Sequence, residues 1–451
     1  MKILFVIRTG DIFPYFKSII TALMARGHSV LYLYDRKWTD IPEMEDLLNL
    51  FKKEHHNFEH GFALQRNDRW RKALFHAREL LSYQQYLKGK QSKYYERRWL
   101  TYLPEFFQSL FQYQIFRSLF ITTPVYWVLK LIESIAPPDK QIANHIRTSA
   151  PDVVVCNPTH ARGSSMDLEY LKAAQYLGIP TVLPVAGWDN LTTKGVMSIQ
   201  PDRLLAWNSI QLEEAMTWHK IPEDRIRIIG APLFDDWFLY QKPSLTKREF
   251  CAQYGLRESD PIFLYLGSSS NMAENEVWLV ERLHTALKKS ADRRLQRAQF
   301  IVRPHPANYL NYEQIKTKDI IVMPKGSLPK SDAVMQSFYD SLYHTTAVIG
   351  INSSAMLMAI IAHKPVLTIL TEEYRKTQEE TQHFQQLKNN DALDYARTDE
   401  EFAAAAARLL DGQDTHKDMR AKFIQRFIRP HGLSTSAGEE AAREIISIAK
   451  K

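Results

Sequence analysis

The stretch from His344 to Leu370, HTTAVIGINSSAMLMAIIAHKPVLTIL, most narrows what this chain can fold into. Ala347-Val348-Ile349-Gly350-Ile351 is a short β-branched and apolar run, long enough for one buried strand. Asn352-Ser353-Ser354 follows, three small polar residues of the kind that cap a helix N-terminus. Ala355 to Ala362 is apolar enough for a buried helix, Lys364-Pro365 ends it, and Val366 to Leu370 supplies a second buried strand. Strand, polar turn, helix and strand make one βαβ unit, so a parallel sheet is expected. The helix N-terminus then points free backbone N–H groups at the carboxyl edge of that sheet, a place that attracts phosphates. Taken alone, the segment also fits a capped crossover helix with no ligand.

The same alternation runs through most of the chain. Ile3 to Ile7 reads as a first strand, Gly10-Asp11 as a turn, and Phe16, Ile19, Ile20, Leu23 and Met24 as one apolar helix face. Gly27 ends that helix and Val30 to Tyr34 is the second strand. There is no G-x-G-x-x-G fingerprint on this half, so a dinucleotide is not expected there. Strands are expected again at 153–156, 181–185, 203–207 and 225–229, and, beyond a linker at 233–243, at 261–266, 300–302 and 320–323. With 451 residues two domains are the natural reading. The expected arrangement is two doubly wound parallel-sheet domains facing a cleft: residues 1–235, then 244–430, with a closing helix in 431–451 that packs back on the first domain.

Residues 41–135 break the pattern. They read as a helical insertion with no convincing strand. Arg66 to Arg98 is basic, with ten cations against Asp68, Glu79 and Glu96, and Trp99, Phe106, Phe107, Phe111, Phe116 and Trp127 follow. A basic block beside an aromatic one suits a helical hairpin on an anionic membrane surface, here spanning 66–127. The other reading is a solvated helix face followed by a core-packed helix. The net charge of +7 favours anionic partners in either case, although no nucleic-acid motif is present.

No stretch reaches the roughly 20 apolar residues of a spanning helix. Met1-Lys2 runs straight into Ile3 to Ile7, too short for a secretory apolar core. The two cysteines, Cys156 and Cys251, match no metal-ligand spacing and read as reduced thiols. A cytoplasmic protein, peripheral at the inner membrane face and needing no metal or other cofactor, is the expectation.

Three strand ends of the second domain carry anion-friendly groups. Gly267-Ser268-Ser269 offers backbone donors and hydroxyls, Arg303 and His305 offer cationic or N–H donors between prolines, and Asn352-Ser353-Ser354 offers the helix terminus. Together they suggest a diphosphate site. On the first domain Asp11, the Asn157 to His160 loop, and Gly187-Trp188-Asp189-Asn190 with Lys194 follow strands and could supply an acid or base. Asp11 could equally cap its turn, Asp189-Asn190 form an Asx turn, and His160 be structural.

The order of these motifs, and the strand-Asn-Ser-Ser-helix-Lys-Pro-Val segment above all, resembles the GT-B glycosyltransferases. Arg303-Pro304-His305-Pro306 is similar to a stretch in bacterial surface-polysaccharide members and in the CDP-glycerol glycerophosphotransferase-like group. The resemblance implies transfer of a sugar from a nucleotide-sugar donor to an acceptor hydroxyl, in cell-surface glycan synthesis on a glycan or lipid-linked acceptor. It places the donor on Gly267, Ser268, Ser269, Arg303, His305, Asn352, Ser353 and Ser354. It places the acceptor near Trp188, Asn190 and Lys194, and the base at Asp11, Asp189 or His160.

Two departures refine this. Retaining members carry paired glutamates where Gly350 and Met358 stand, so inversion is implied; Glu372 and Glu380 share the spacing but read as surface helix residues. UDP-N-acetylglucosamine 2-epimerases of the same fold place carboxylates near Leu357 and Met358, which argues against that isomerase. A CDP-alditol phosphotransferase and a non-catalytic nucleotide-binding scaffold remain the alternatives.

Overall fold

The computed structural model describes residues 1–35, 42–89, 93–157, 166–240, 242–324 and 332–450. The chain divides into two compact units, Met1–Asp235 with Phe427–Lys451, and Asp236–Arg426.

Among the described residues of the first unit, seven strands form one all-parallel sheet. They are β1 (Lys2–Ile7), β2 (Ser29–Tyr34), β3 (Phe58–Phe62), β4 (Val153–Cys156), β5 (Thr181–Pro184), β6 (Arg203–Ala206) and β7 (Ile226–Ile228), in the order β3-β2-β1-β4-β5-β6-β7. A strand buried on both faces must be apolar throughout, and Ile3 to Ile7 and Val153 to Cys156 are indeed fully buried. The order reverses between β1 and β4, which pair in register from Ile3–Val153 to Val6–Cys156.

β3 corrects the expectation that 41–135 holds no strand. It pairs only with β2 and lies at the sheet edge, where Glu59 and His60 keep contact with water. An edge strand needs no continuous apolar run, so its sequence carries no strand signal.

The rest of that segment is helical and has its own core, built on Tyr83, Tyr86, Trp99, Phe111 and Leu129. Two of the arginines assigned to its basic face are not on a face at all. Arg66 and Arg78 are 3 and 4 % exposed, and they share Glu169 through contacts of 2.8 and 2.6 Å. Arg78 also holds Glu133 at 2.7 Å, and Lys172 holds Glu133 at 3.0 Å. Burial alone would raise the Glu133 carboxyl, but the Arg78 and Lys172 charges outweigh it and bring it down to about 2. This buried chain of charges ties the insertion to the helix Met166–Tyr176 behind the sheet.

The helix Ala437–Ala449 packs on Phe13–Ala25 within the same unit. Its N-terminus is held by Asp235, which accepts from the N–H of Ala437 at 3.1 Å and of Gly438 at 2.8 Å and pairs with Arg429 at 2.9 Å. Gly438 allows the approach. A Cβ there would stand 2.6 Å from the backbone carbon of Ser18.

Among the described residues of the second unit, six strands form the other parallel sheet: β8 (Ile262–Leu266), β9 (Gln299–Arg303), β10 (Ile320–Val322), β11 (Ala347–Gly350), β12 (Val366–Ile369) and β13 (Asp394–Ala396). Their order is β10-β9-β8-β11-β12-β13, so the direction reverses between β8 and β11. The βαβ segment read from the sequence is β11, the helix Ser354–Ile361 and β12. Glu372 and Glu380 lie in a run of turns rather than a helix, and Glu380 pairs with Arg375 at 3.3 Å.

Candidate functional site

Sheet register decides which loops of the second unit meet. Leu266 pairs with Arg303 on one side and Gly350 on the other, so β9, β8 and β11 end level. The turns that follow them, Gly267 to Ser269, Pro304 to His305 and Ile351 to Ser353, therefore share one carboxyl edge. The β8–β11 pair is also where the strand order reverses, the position at which open α/β sheets leave a crevice.

The first turn is braced from beneath. The N–H of Gly267 donates to the Arg303 carbonyl at 3.0 Å. A Cβ on Gly267 would lie 2.8 Å from the Tyr312 hydroxyl and 2.9 Å from the His305 nitrogen, so only glycine lets the two turns touch. Glu276 is buried below them and accepts from the Ser268 N–H and, at 2.8 Å, from the Tyr265 hydroxyl. Burial pushes its carboxyl up to about 7, against the pull of those hydrogen bonds. The Asn308 amide donates to the carbonyls of Ser268 and Ala273 at 2.9 and 2.8 Å. Ser268 is buried with its hydroxyl beside Glu276, whereas Ser269 is half-buried.

Arg303 lies with its guanidinium 4.5 Å from the centre of the Phe338 ring. Burial depresses its pKa, and among the described residues no carboxylate pairs with it. His305 accepts from the Ala307 N–H through Nδ1 at 3.1 Å, so the proton of the neutral ring sits on Nε2. Burial lowers its pKa and keeps it neutral, a hydrogen-bond donor rather than a cation.

At the third turn Ser353 stands in the N-cap position of the helix Ser354–Ile361 with an extended backbone, yet its hydroxyl makes no cap bond and finds no partner among the described residues. The leading N–H groups of a helix have no partner within it. Asn352 behaves differently. Its side chain is buried, and its amide nitrogen meets the Thr377 carbonyl at 2.8 Å and His383 Nε2 at 2.9 Å. It orders the turn from inside while the two serines sit half-buried beside it. Lys364 is likewise occupied, donating to the carbonyls of Tyr343 and Thr345.

The first unit's carboxyl edge is of another kind. Asp11 lies in the turn Gly10–Ile12 directly after β1, beside the reversal between β1 and β4. His160 falls outside the described residues. Asn157, next to β4, is buried and donates to the Pro184 carbonyl at 2.8 Å. Asp189 follows β5, and its carboxylate accepts from the Thr193 hydroxyl at 2.7 Å and stands 4.0 Å from Lys194. Asn190 closes the same loop by accepting from the Gly187 N–H at 2.8 Å, and Trp188 is buried. These contacts make the loop an ordered turn around Asp189.

Two acids escaped the sequence reading. Glu214, on the helix Ser209–His219, is pushed up to about 8 by burial and by Asp189 and Glu213, and its Oε2 has no partner among the described residues. Asp167, at the start of Met166–Tyr176, is fully buried and raised well above the usual carboxylate range by that burial, with Arg8 pulling it back. Neither belongs to a motif, and in sequence each reads as an ordinary polar helix residue. Among the described residues no group of three or more His, Cys, Asp and Glu is placed to hold a metal ion.

Comparison with known proteins places the fold and stops there. No family model matches the sequence, and no curated protein matches it. Solved structures do. A glycosyltransferase from Rickettsia africae ESF-5 is similar with a TM-score of 0.55 and 12 % identity, over 100 % of this chain and 98 % of that one. The UDP-GlcNAc 2-epimerase of Methanocaldococcus jannaschii in complex with UDP-GlcNAc and UDP gives 0.54 and 14 %, over 99 % and 100 %. UGT89C1 of Arabidopsis thaliana complexed with UDP gives 0.51 and 13 %, over 99 % of each chain. Two all-parallel α/β units matched to such structures over nearly the whole chain make this a GT-B fold. The narrower likeness to the CDP-glycerol group finds no support among these structures.

Proposed function

We propose that this protein transfers a sugar from a nucleotide-sugar donor to an acceptor hydroxyl, by inversion. The reading rests on one observation: three level strand ends of the second unit bring cationic and N–H donors to one edge, and Arg303 there faces no carboxylate among the described residues. Arg303, the Nε2–H of His305, the Gly267 to Ser269 turn and the helix terminus at Ser353-Ser354 are suited to a departing nucleoside diphosphate, whose charge grows as the glycosidic bond breaks. UDP and UDP-GlcNAc bound to structures of the same fold support a nucleotide donor.

Epimerase chemistry suits the chain less well. Leu357 and Met358 are buried apolar residues where the resemblance would put carboxylates. The acceptor hydroxyl needs a base, and Asp11 is assigned that role from its place at the strand-order reversal, with Asp189 and His160 behind it. Trp188, Asn190 and Lys194 are assigned to the acceptor. The setting is cell-surface glycan synthesis on a glycan or lipid-linked acceptor at the inner membrane face.

Calorimetry with UDP, GDP, CDP, CMP and dTDP tests the donor site. A nucleoside diphosphate should bind to the wild-type protein and lose affinity in Arg303→Ala. Preference for CMP would favour a CDP-alditol phosphotransferase, which releases CMP. Binding to none of the five would sink the reading.

A further inference from the structure

The helical segment Glu105–Ile135 has its polarity reversed. Phe106, Tyr113, Ile115, Leu119, Trp127 and Leu131 are each between 57 and 70 % exposed. Glu105 at its first position is exposed, but the three charged residues from 106 to 135 are paired or drawn inward, Arg117 only in part. Arg117 pairs with Glu96 at 2.9 Å, Lys130 donates to the Ser198 carbonyl at 2.6 Å, and Glu133 is held by Arg78 and Lys172. No exposed position from 106 to 135 carries a charge; where polar, they are Ser, Thr, Gln and the Tyr113 hydroxyl. A water-facing surface of this size normally carries charge, and a protein interface usually places Arg and hydrogen-bonding groups at its rim.

We infer that this face of Glu105–Ile135 enters the hydrocarbon of one leaflet of an anionic bilayer. The helices Gln114–Phe120 and Thr123–Ile135 together are apolar enough to span, but they bend by 61° at their junction. The longer one covers roughly 20 Å at ~1.5 Å per residue, short of a bilayer core of about 30 Å, so the pair lies in one leaflet rather than crossing. Charge complementarity selects lipid over a second copy of the chain. Exposed Arg69, Arg71, Lys72, Lys93 and Arg97 lie on the two preceding helices and the approach to them, and Lys88 sits 5.7 Å from the centre of the Tyr126 ring. Trp70–Lys88 packs directly on Thr123–Ile135. Arg66 and Arg78 take no part, being locked in the interior. This sharpens the membrane-side setting proposed above, on which it rests.

The test uses the full chain and vesicles of phosphatidylcholine with about 30 % phosphatidylglycerol. Binding should persist at about 0.5 M NaCl, where screening removes most surface attraction. Trp127→Glu/Leu131→Glu should weaken it by at least about tenfold, since each change puts a charge where a buried apolar group stood. Both native cysteines are buried, so Leu131→Cys accepts a single environment-sensitive dye. Its emission should shift blue on vesicles and be quenched by acyl-chain-brominated lipid. A dye that stays water-like on bound vesicles overturns the inference, as does binding that salt abolishes. So does a lipid-free dimer that the double glutamate variant dissolves, because the face would then be a protein interface. Unchanged melting temperature and nucleotide affinity in that variant separate this outcome from the fate of the transferase reading.

Discussion

The two carboxyl edges are built from opposite chemistries. In the second unit the groups beyond β8, β9 and β11 are donors, and two are left over: among the described residues Arg303 has no carboxylate and the Ser353 hydroxyl has no partner. In the first unit the groups beyond the strands are acids, and those whose contacts are described are mostly spent. Asp189 is tied to Thr193, and Asp167 is sealed in the interior. An edge of unused donors is prepared for an anion from outside, because each buried donor without an acceptor costs stability until a ligand supplies one. An edge of satisfied acids is prepared only to hold its own loops in place. Asp11, in the turn directly after β1, is the acid on which a chemical role for the first unit depends.

The sharpest way to break this contrast is at the acids. Asp11→Asn should cut turnover by roughly 10²–10⁴-fold while nucleotide affinity holds, since it removes a proton acceptor and keeps the shape. Asp189→Asn should instead lower the melting temperature through its loop, with a smaller loss of rate. Steady-state kinetics and thermal melting of both variants decide between the two carboxylates. If both turn over at wild-type speed, the base lies elsewhere and His160 is next.

A second prediction concerns Glu214, raised to about 8 beside Asp189. Between pH 4.5 and about 8 the folded chain keeps a proton that the unfolded chain releases, so stability falls as pH rises through that window. The full effect is roughly 5 kcal/mol. Glu214→Gln should flatten that slope and raise the melting temperature at pH 8. A variant whose pH profile matches the wild type would show that the carboxyl ionises without penalty.

At the other edge the effects are on affinity. Arg303→Ala should weaken nucleoside diphosphate binding by about 10- to 100-fold, the worth of one charge-assisted contact, with the melting temperature of the free protein unchanged. Ser353→Ala/Ser354→Ala should cost only a few-fold, because the helix N–H groups remain. Calorimetry on both variants ranks them. A larger loss from the serines than from Arg303 would move the diphosphate toward the helix terminus.

Much of this is legible in the sequence. The apolar runs at Ile3 to Ile7, Val153 to Cys156 and Ala347 to Ile351 announce central strands, since a strand covered on both faces has no position for a polar side chain. The edge strands β3 and β13 were not legible, because Phe58–Phe62 keeps Glu59 and His60 in contact with water and Asp394–Ala396 is only three residues long, with Tyr395 exposed and Asp394 paired with Arg408. The donor-rich turns stood out because Gly-Ser-Ser, Arg-Pro-His-Pro and Asn-Ser-Ser each concentrate unusual chemistry in a few residues.

Sequence by itself determined the α/β class, the parallel sheets and the residue types at the strand ends, because hydrophobic periodicity and turn chemistry are local properties. Only the tertiary structure decided which of those residues are free to act. Strand register brought Gly267, Arg303 and Ser353 to one edge across nearly ninety positions of chain. Packing turned Asn352 inward and buried Arg66 and Arg78 against Glu169 and Glu133. The same packing drew Lys130 and Glu133 inward, paired Arg117 with Glu96 and left Trp127 and Leu131 facing out. Composition records that a charge exists; whether it meets a partner or the solvent depends on contacts between residues far apart in the chain.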